Sequence, residues 1–291
     1  MLDERTITVT AFARAPSKVR VRRAVLCVAT LLVLLLVGTG AAYQAFLNHT
    51  PKINIKHSAL LPAPSVDHKQ VSLVHFPRDL YVDVPGHHKD TISSAFGYGG
   101  PQLLVRTLQQ LVDVPIDHVG FVKLDGLAGM TDALDGVDVN VAKASSGRGL
   151  TTLRKGVNTS TVRPHSGFIR ARSQPGENDV TRGRRQLTFI KALMVRALSK
   201  DALSNRITFA EFRDAATTNL TVDNAFAGED MRSLASALKG LGSNDIVPIT
   251  APIAGLGKSA TGTPVHVVNV SRMALLSTAL RTDSMAGFPI T

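Results

Sequence analysis

The longest apolar run of the chain lies near its amino end and contains no charged residue. It covers residues 24–42, AVLCVATLLVLLLVGTGAA. A helix of about 20 residues spans the ~30 Å hydrocarbon core of a bilayer, so the run predicts an uncleaved transmembrane helix over residues 24–45. A signal peptide is the alternative, because residues 39–42 are small. Its apolar core would be longer than the usual ~7–15 residues, however.

Basic residues flank the apolar run on one side. Arg14, Lys18, Arg20, Arg22 and Arg23 precede it, and only Lys52 follows closely. The positive-inside rule therefore predicts a cytoplasmic basic tail at residues 1–23 and an extracytoplasmic domain at residues 46–291. The expected location is the cell membrane, crossed once, with the lipid bilayer as a partner.

Beyond residue 45, short apolar stretches alternate between strand and helix periods. The helix with the clearest apolar stripe is predicted over residues 183–199. A polar stretch at residues 143–165 reads as a long loop with room for one short strand. Interleaved strands and helices favour an α/β domain with helices on both faces of its sheet. Strands are predicted at 71–76, 118–124, 137–141, 246–249 and 265–268, and further helices at 90–98, 102–111, 126–134, 207–217, 230–239 and 271–281.

The charge balance indicates anionic partners. Lys and Arg number 33 against 22 Asp and Glu, which gives a formal net charge of +11. Residues 1–23 hold six Lys/Arg and two Asp/Glu, so most of the excess lies in the rest of the chain. Phosphates, acidic lipids and nucleic acids all suit such a surface. A nucleic-acid reader would need its basic patch in the cytoplasm, where only residues 1–23 are expected, so nucleic acid is not a predicted partner.

Two arginine-bearing segments carry the candidate chemistry. Arg78 and Asp79 follow the predicted strand at 71–76. Guanidinium groups suit the oxygens of phosphate or pyrophosphate, and neighbouring carboxylates can hold a hard cation between those oxygens. Ordinary surface salt bridges are the open alternative. The second segment contains Arg170, Arg172, Asp179, Arg182 and Gln186.

These segments, taken in order, resemble the LytR–CpsA–Psr family. The matching pieces keep the family's order and spacing between about residues 52 and 200. They are HFPRD at 75–79, YVDVPG at 81–86, KDTISSAFGYGGP at 89–101, DALDGVDV at 132–139, RAR at 170–172 and NDVTRGRRQ at 178–186. The family resemblance implies a central mixed sheet between helical layers, with a hydrophobic groove for a polyprenyl tail.

The resemblance also implies an activity. Members transfer a glycopolymer from a polyprenyl-pyrophosphate carrier to peptidoglycan and form a phosphodiester link, usually with magnesium. By position, Arg78, Arg170, Arg172 and Arg182 would bind pyrophosphate, and Gln186 would touch the same site. Asp79 and Asp179 would assist in binding Mg²⁺ or order the arginines. Arg78, Asp79 and Asp179 are the predicted catalytic residues. Phosphoryl transfer depends chiefly on positioning and charge neutralisation, which such a set can supply.

The chain also departs from the family pattern near residues 56–66. The family carries an Asp-x-Arg element and an Arg-Ser/Ala-Asp-Thr run before the strand that precedes Arg78. Residues 53–68, INIKHSALLPAPSVDH, contain neither. The lost segment would supply a central strand, an arginine and the principal metal-binding aspartate. A degenerate member that binds polyprenyl pyrophosphate weakly without catalysis, or a damaged gene product, is therefore the alternative interpretation.

Overall fold

The structure, a computed structural model, describes most of the chain from residue 70 onward, with gaps. The described residues are 10–11, 52–53, 70–122, 124–141, 145–147, 150–153, 156–160, 179–224, 238 and 241–289. The predicted transmembrane run, the divergent stretch at 56–66, and Arg170 and Arg172 lie outside them. Of the predicted helix at 230–239, only Leu238 is described, and it is helical. No helix in the described part of the chain is long and apolar enough to cross a membrane.

Six α-helices and fourteen strands are formed by the described residues. The helices are α1 (Ile92–Val112), α2 (Leu124–Asp132), α3 (Asp179–Ala197), α4 (Lys200–Ser204), α5 (Arg206–Asn219) and α6 (Val270–Thr282), with 3-10 helices at Ser243–Asp245 and Met285–Gly287. The strands are β1 (Thr10–Ala11), β2 (Lys52–Ile53), β3 (Val71–His75), β4 (Leu80–Val82), β5 (Asp90–Thr91), β6 (Val119–Val122), β7 (Val137–Val141), β8 (Ser145–Gly147), β9 (Leu150–Leu153), β10 (Gly156–Ser160), β11 (Leu220–Asp223), β12 (Ile246–Thr250), β13 (Ile253–Lys258) and β14 (Pro264–Val268).

Strand pairing is mixed, as predicted. Parallel ladders join β3 to β12, β4 to β14 and β2 to β11, whereas the other pairs are antiparallel. Among the described strands, the hydrogen-bonded orders are β1-β6-β11-β2, β13-β14-β4-β5, β12-β3, β10-β7 and β8-β9. Each parallel pair is non-consecutive in sequence, so these ladders require crossover connections.

Strand β3 lies between two hydrophobic cores. Its first four residues are buried, the pattern of a strand covered on both faces. Because successive side chains point to opposite faces, Val71 and Leu73 join one core, with residues of α2, α3 and α5. Val74 joins the other core, with residues of α1 and α6. The predicted sheet between helical layers is therefore confirmed.

Helix α3 forms where the apolar stripe predicted a helix, but it begins at Asp179 rather than residue 183. Leu187, Ile190, Leu193 and Met194 are all buried. The helix therefore starts one turn earlier than the apolar stripe alone predicts. Arg182 is consequently a helical residue of the first turns.

Two other sequence predictions need correction. The stretch at 143–165 contains three strands, β8, β9 and β10, rather than a long loop with one short strand, and β10 pairs with β7 along its full length. Strand β10 forms this ladder through its backbone and does not depend on an apolar face, because its one large apolar residue, Val157, is 71% exposed. The predicted helix at 90–98 begins two residues later, because Asp90 and Thr91 pair with β4. The predicted interruption between the helices at 90–98 and 102–111 is confirmed as a break inside α1, where Gly100 has a left-handed φ of 58°.

The short strand β1 bears on the predicted topology. Thr10 and Ala11 pair with Gly120 and Val119 of β6. In a molecule anchored through residues 24–42, with residues 1–23 in the cytoplasm, a bilayer would separate these two strands. In the anchored arrangement, β1 and β6 therefore cannot be paired.

Candidate functional site

A tight turn at the carboxyl end of β3 presents Arg78 and Asp79 to solvent. The Leu80 amide closes the turn by donating to the Pro77 carbonyl at 3.0 Å. The Ser93 amide, at the start of α1, donates to the Arg78 carbonyl at 2.9 Å, and the His266 amide of β14 donates to the Asp79 carbonyl at 2.9 Å. Because three backbone bonds hold the turn, the backbone position of both predicted site residues is defined by the sheet and α1.

The side chains of this turn pair with each other in solvent. Arg78 Nε donates to Asp79 Oδ1 at 3.3 Å, and the side chains are 65% and 38% exposed. An ion pair of such exposure contributes about 0–1 kcal/mol. Only one of the five guanidinium donors is used in this bond, so the pair orients Arg78 at little cost to its capacity to bind an anion.

Helix α3 reaches the same end of β3 through a glycine. A Cβ atom added to Gly183 would overlap the imidazole ring of His75, the last residue of β3. No other residue type would allow the helix and the ring to approach so closely without a shift. The first turns of α3, which carry Asp179 and Arg182, therefore lie against the strand that leads into Arg78.

The environment of His75 keeps its imidazole uncharged. Burial, and secondarily the charge of Arg182, lower the pKa of His75 from 6.5 to about 4. Both effects disfavour the protonated form. Arg182 thus acts on a residue only three positions before Arg78, at the carboxyl end of β3.

The other predicted residues of α3 have different surroundings. Gln186 is half-buried and lies four residues after Arg182, so the two share a helix face. Arg184 is exposed, and its position two residues along places it away from that face. Arg170 and Arg172 are among the residues that the structure does not describe, so their roles stay predictions.

Asp79 and Asp179 are the predicted magnesium ligands. Among the residues described, no group of three or more His, Cys, Asp or Glu side chains could hold a metal ion. Mg²⁺ requires near-octahedral oxygen coordination, and Asp79 already accepts a hydrogen bond from Arg78. Magnesium therefore stays a prediction, and the chemistry considered below is that of the arginines.

A polar cluster beside the turn was not identified from the sequence. Tyr98 donates from its hydroxyl to Asp90 Oδ2 at 2.5 Å, and the His87 ring stacks on Tyr98 with centroids 4.8 Å apart. Burial alone would raise the pKa of Asp90, but hydrogen bonds from Tyr98, Thr91 and Ser94 and the charge of His88 together lower it. Tyr98 lies in the part of α1 that precedes the break and reaches back to Asp90 of β5. Residue spacing gave no signal for this bond.

A second unanticipated pair lies inside the domain. Asp223 is fully buried and accepts from the Val119 amide at 2.7 Å. His118 Nδ1 lies 3.3 Å from Oδ2 of the same carboxylate. The pair joins β6 to β11 and accounts for both buried polar groups through mutual contact.

The family of the chain is shown by comparison with known proteins. A model of the LytR_cpsA_psr family matches residues 58–282. The chain therefore belongs to the LytR_cpsA_psr family, as the ordered motifs predict.

Individual relatives agree with that assignment. TagT of Bacillus subtilis (strain 168), a polyisoprenyl-teichoic acid–peptidoglycan teichoic acid transferase, is 28% identical over 162 residues, or 53% of this chain and 49% of that protein. LcpB of Corynebacterium glutamicum, a probable cell wall biosynthesis protein, is 32% identical over 193 residues, covering 66% and 45%. The chain spans about half the length of the curated relatives it matches.

The solved structures support the same fold. The crystal structure of B. subtilis TagV aligns with a TM-score of 0.62 and 21% identity, covering 74% of this chain and 84% of that one. At this level of identity, the likeness shows a shared α/β fold.

Proposed function

We propose that the protein transfers a glycopolymer from a polyprenyl-pyrophosphate carrier to peptidoglycan. Family membership supports the proposal, and TagT is named for a transfer of this kind. The observation that carries it is the contact between His75 and Gly183. That contact packs the first turns of α3, which carry Arg182, against the strand that leads into Arg78. It supports a site in which the two guanidinium groups neutralise a pyrophosphate.

The proposed reaction exchanges the phosphoanhydride bond of the carrier for a phosphoester bond to the acceptor. A hydroxyl oxygen of the acceptor sugar attacks the phosphorus that bears the glycan, and the hydroxyl proton passes to solvent. The bond from that phosphorus to the bridging oxygen breaks, so polyprenyl phosphate leaves and a glycan–acceptor phosphodiester forms. Negative charge develops on the leaving phosphate, and preorganised arginines stabilise such charge.

Within this proposal, the arginines bind the ligand, and the other predicted residues, including Asp179 at the start of α3, support them. Arg78 and Arg182, together with Arg170 and Arg172, bind the pyrophosphate oxygens. Gln186 follows Arg182 on the same face of α3 and extends the polar surface. Asp79 orders Arg78 through their hydrogen bond. Bound magnesium would add positive charge at the pyrophosphate.

A second candidate function is carrier binding without transfer. It is favoured by the absence of a three-residue metal-binding group among the residues described. With fewer carboxylates, metal affinity falls and the developing charge is less well neutralised. Weak pyrophosphate binding with slow transfer is then expected. We also propose that residues 24–45 anchor the protein in the cell membrane, with the domain outside and near its lipid-linked substrate.

Binding and transfer assays on the full-length protein test both candidates. Replacing Arg182 or Arg172 with Ala should weaken binding of a polyprenyl pyrophosphate about tenfold or more, since a hydrogen bond to a charged group contributes about 1.5–3 kcal/mol. The exposed Arg184 provides a matched control on the same helix, and Arg184→Ala should change the dissociation constant little.

The transfer assay separates the two candidates. It uses lipid-linked glycan, peptidoglycan and magnesium, beside a relative that retains the segment absent here. Comparable rates would support the transferase and exclude the binding-only function. Unchanged affinity in the Arg172→Ala and Arg182→Ala variants, with the fold intact, would remove the proposed pyrophosphate site.

A further inference from the structure

An exposed aromatic surface beside the Arg78 turn has no role in the reaction described so far. Tyr98, in the first part of α1, is 46% exposed. The His87 ring stacks on Tyr98 with centroids 4.8 Å and planes 14° apart. The His88 ring lies at 62° to Tyr98, with centroids 6.0 Å apart. Both histidines are exposed as well, so solvent reaches all three rings.

The aromatic surface is close to the turn that carries Arg78. The Ser93 amide donates to the Arg78 carbonyl at 2.9 Å. Asp90, whose carboxylate accepts from the Tyr98 hydroxyl at 2.5 Å, lies three residues before Ser93, a span of at most about 11 Å. The hydroxyl oxygens of Thr91 and Ser93 lie between them, exposed and 3.0 Å apart. The aromatic surface is therefore within reach of groups attached to a pyrophosphate at Arg78.

The polar groups around Tyr98 suit an uncharged ligand with hydroxyl groups. Burial alone would raise the pKa of Asp90, but hydrogen bonds, chiefly from Tyr98, lower it. The carboxylate is therefore ionised at neutral pH, so it repels phosphate and accepts strong hydrogen bonds from hydroxyl groups. His88 lies 3.6 Å from Asp90 Oδ2 and its side chain is 72% exposed. A neutral imidazole adds one donor and one acceptor to the cluster.

We propose that Tyr98 and Asp90 form a sugar-binding subsite. The apolar C–H face of an uncharged sugar ring packs on the aromatic surface, and the sugar hydroxyls donate to the Asp90 carboxylate. Tyrosine suits this role because it offers a large, rigid, amphipathic contact area at a low cost in conformational entropy. The inference rests on the proposed function and deepens it, because the sugar part of a substrate gains its own place beside the pyrophosphate.

Two substrates of the proposed reaction carry such a sugar, namely the carrier-linked glycan and the peptidoglycan acceptor. Titrations into the full-length, detergent-solubilised protein distinguish them. One probe is an uncharged N-acetylhexosamine oligosaccharide of the peptidoglycan type. The other is a short-chain polyprenyl pyrophosphate, with and without its glycan. Oligosaccharide binding that depends on Tyr98 identifies the acceptor. Dependence on Tyr98 that appears only when the carrier bears its glycan identifies the donor.

Four variants separate the parts of the subsite. Tyr98→Ala removes the ring and should weaken sugar binding about fivefold or more. Asp90→Asn removes the charge at nearly constant shape and should also weaken it several-fold, since charge-assisted hydrogen bonds are roughly twice as strong as neutral ones. Tyr98→Phe keeps the ring and should stay within about threefold of wild type. Leu275→Ala in α6 is the control, because it removes an apolar side chain that is 57% exposed elsewhere on the domain.

A spectroscopic measurement reports on the ring itself. The chain has three tyrosines and no tryptophan, so protein labelled at tyrosine gives few ring signals in NMR spectra. The signal that is missing from Tyr98→Phe belongs to Tyr98. It should shift when the sugar probe is added, whereas a ring with a purely structural role would not respond.

The outcomes separate this inference from the proposed function. Wild-type affinity of Tyr98→Ala for both sugar probes, with Arg182→Ala still weakened for pyrophosphate, would overturn the subsite and leave the arginine site standing. Sugar binding that depends on Tyr98, without any pyrophosphate binding by the wild type, would overturn the proposed function and keep the subsite. Equal weakening by Leu275→Ala would mean unspecific apolar contact and overturn the subsite. If Tyr98→Ala does not fold, the NMR signal of Tyr98 decides: a shift supports the subsite, and an unshifted signal overturns it.

Discussion

Replacing Gly183 with Ala tests the contact between α3, which carries Arg182, and the end of β3 that leads into Arg78. The glycine lies in α3 with its Cα facing the imidazole of His75, and an added methyl group would overlap that ring. Either the ring must rotate away or the amino end of α3 must move from β3. The substitution thus perturbs the site through one atom, without removing any charged group.

Two opposing terms set the size of the effect. Alanine stabilises a helix interior by about 0.8–1.0 kcal/mol relative to glycine. Overpacking a well-packed site costs about 1–3 kcal/mol. The net expectation is a loss of roughly 0–2 kcal/mol of unfolding free energy in the wild-type background. When His75 is also replaced by Ala, the overlap is gone and Gly183→Ala should instead stabilise by about 1 kcal/mol.

Urea unfolding of the four proteins in this double-mutant cycle measures the interaction. The expected coupling energy is about 1–3 kcal/mol, which is within the range for residues in contact. Gly129→Ala in α2 is the matched control. A Cβ added there would lie 3.9 Å from the nearest atom, Ala215 Cβ, so the helix term should appear alone.

A clear result would refute the reasoning. If Gly183→Ala stabilises the protein as much as Gly129→Ala does, the added methyl group meets no obstacle. A coupling energy near zero between positions 75 and 183 would lead to the same conclusion. Either result would mean that α3 does not press on the end of β3, and Arg182 would then have no structural reason to act with Arg78.

Three further predictions follow from other parts of the structure. First, the pKa of His75 is about 4 in the folded protein against 6.5 ordinarily, so the unfolded state binds a proton that the folded state refuses. Stability should be fully present above about pH 6.5 and fall by on the order of 3 kcal/mol down to about pH 4; denaturation across this range should show the slope in wild type and not in His75→Asn. Second, Tyr98→Phe removes a hydrogen bond to Asp90, so the lowered pKa of Asp90 should rise toward its ordinary value, measured by carboxyl-carbon NMR. The ionised Asp90 carboxylate stabilises the fold above its ordinary pKa, and this stabilisation is lost as the pH falls through the folded-state pKa. In Tyr98→Phe, the size of this stabilisation should be smaller. An unchanged pKa of Asp90 would count against the bond. Third, protease added to intact protoplasts should digest the domain at residues 46–291, and protection of that domain would reject the predicted topology.

The sequence alone determined much of the local structure. The apolar stripe of α3 and the unbroken apolar run of β3 each reflect how a single element contacts the core. The period of apolar residues therefore predicts both elements. The break at Gly99 and Gly100 was also predictable, because a left-handed φ and a following proline have local signatures. The ordered motifs identified the family, and the expectation of a mixed sheet between helices followed.

Other features were decided only by tertiary structure, because their causes lie far apart in the chain. Strand β10 has no inward apolar pattern of its own, and its ladder with β7 supplies the reason for its conformation. The bond between Tyr98 and Asp90 depends on how the first part of α1 lies beside β5.

The candidate site shows the same division most clearly. The residue types of Arg78, Asp179 and Arg182 were enough to make them candidates for phosphate or metal binding. Neither His75 nor Gly183 suggests a partner by itself. The two residues are more than 100 positions apart. Their contact is possible because Gly183 has no side chain and so leaves room for the His75 ring. Steric complementarity of this kind belongs to a pair of packed surfaces, so only the folded chain contains it.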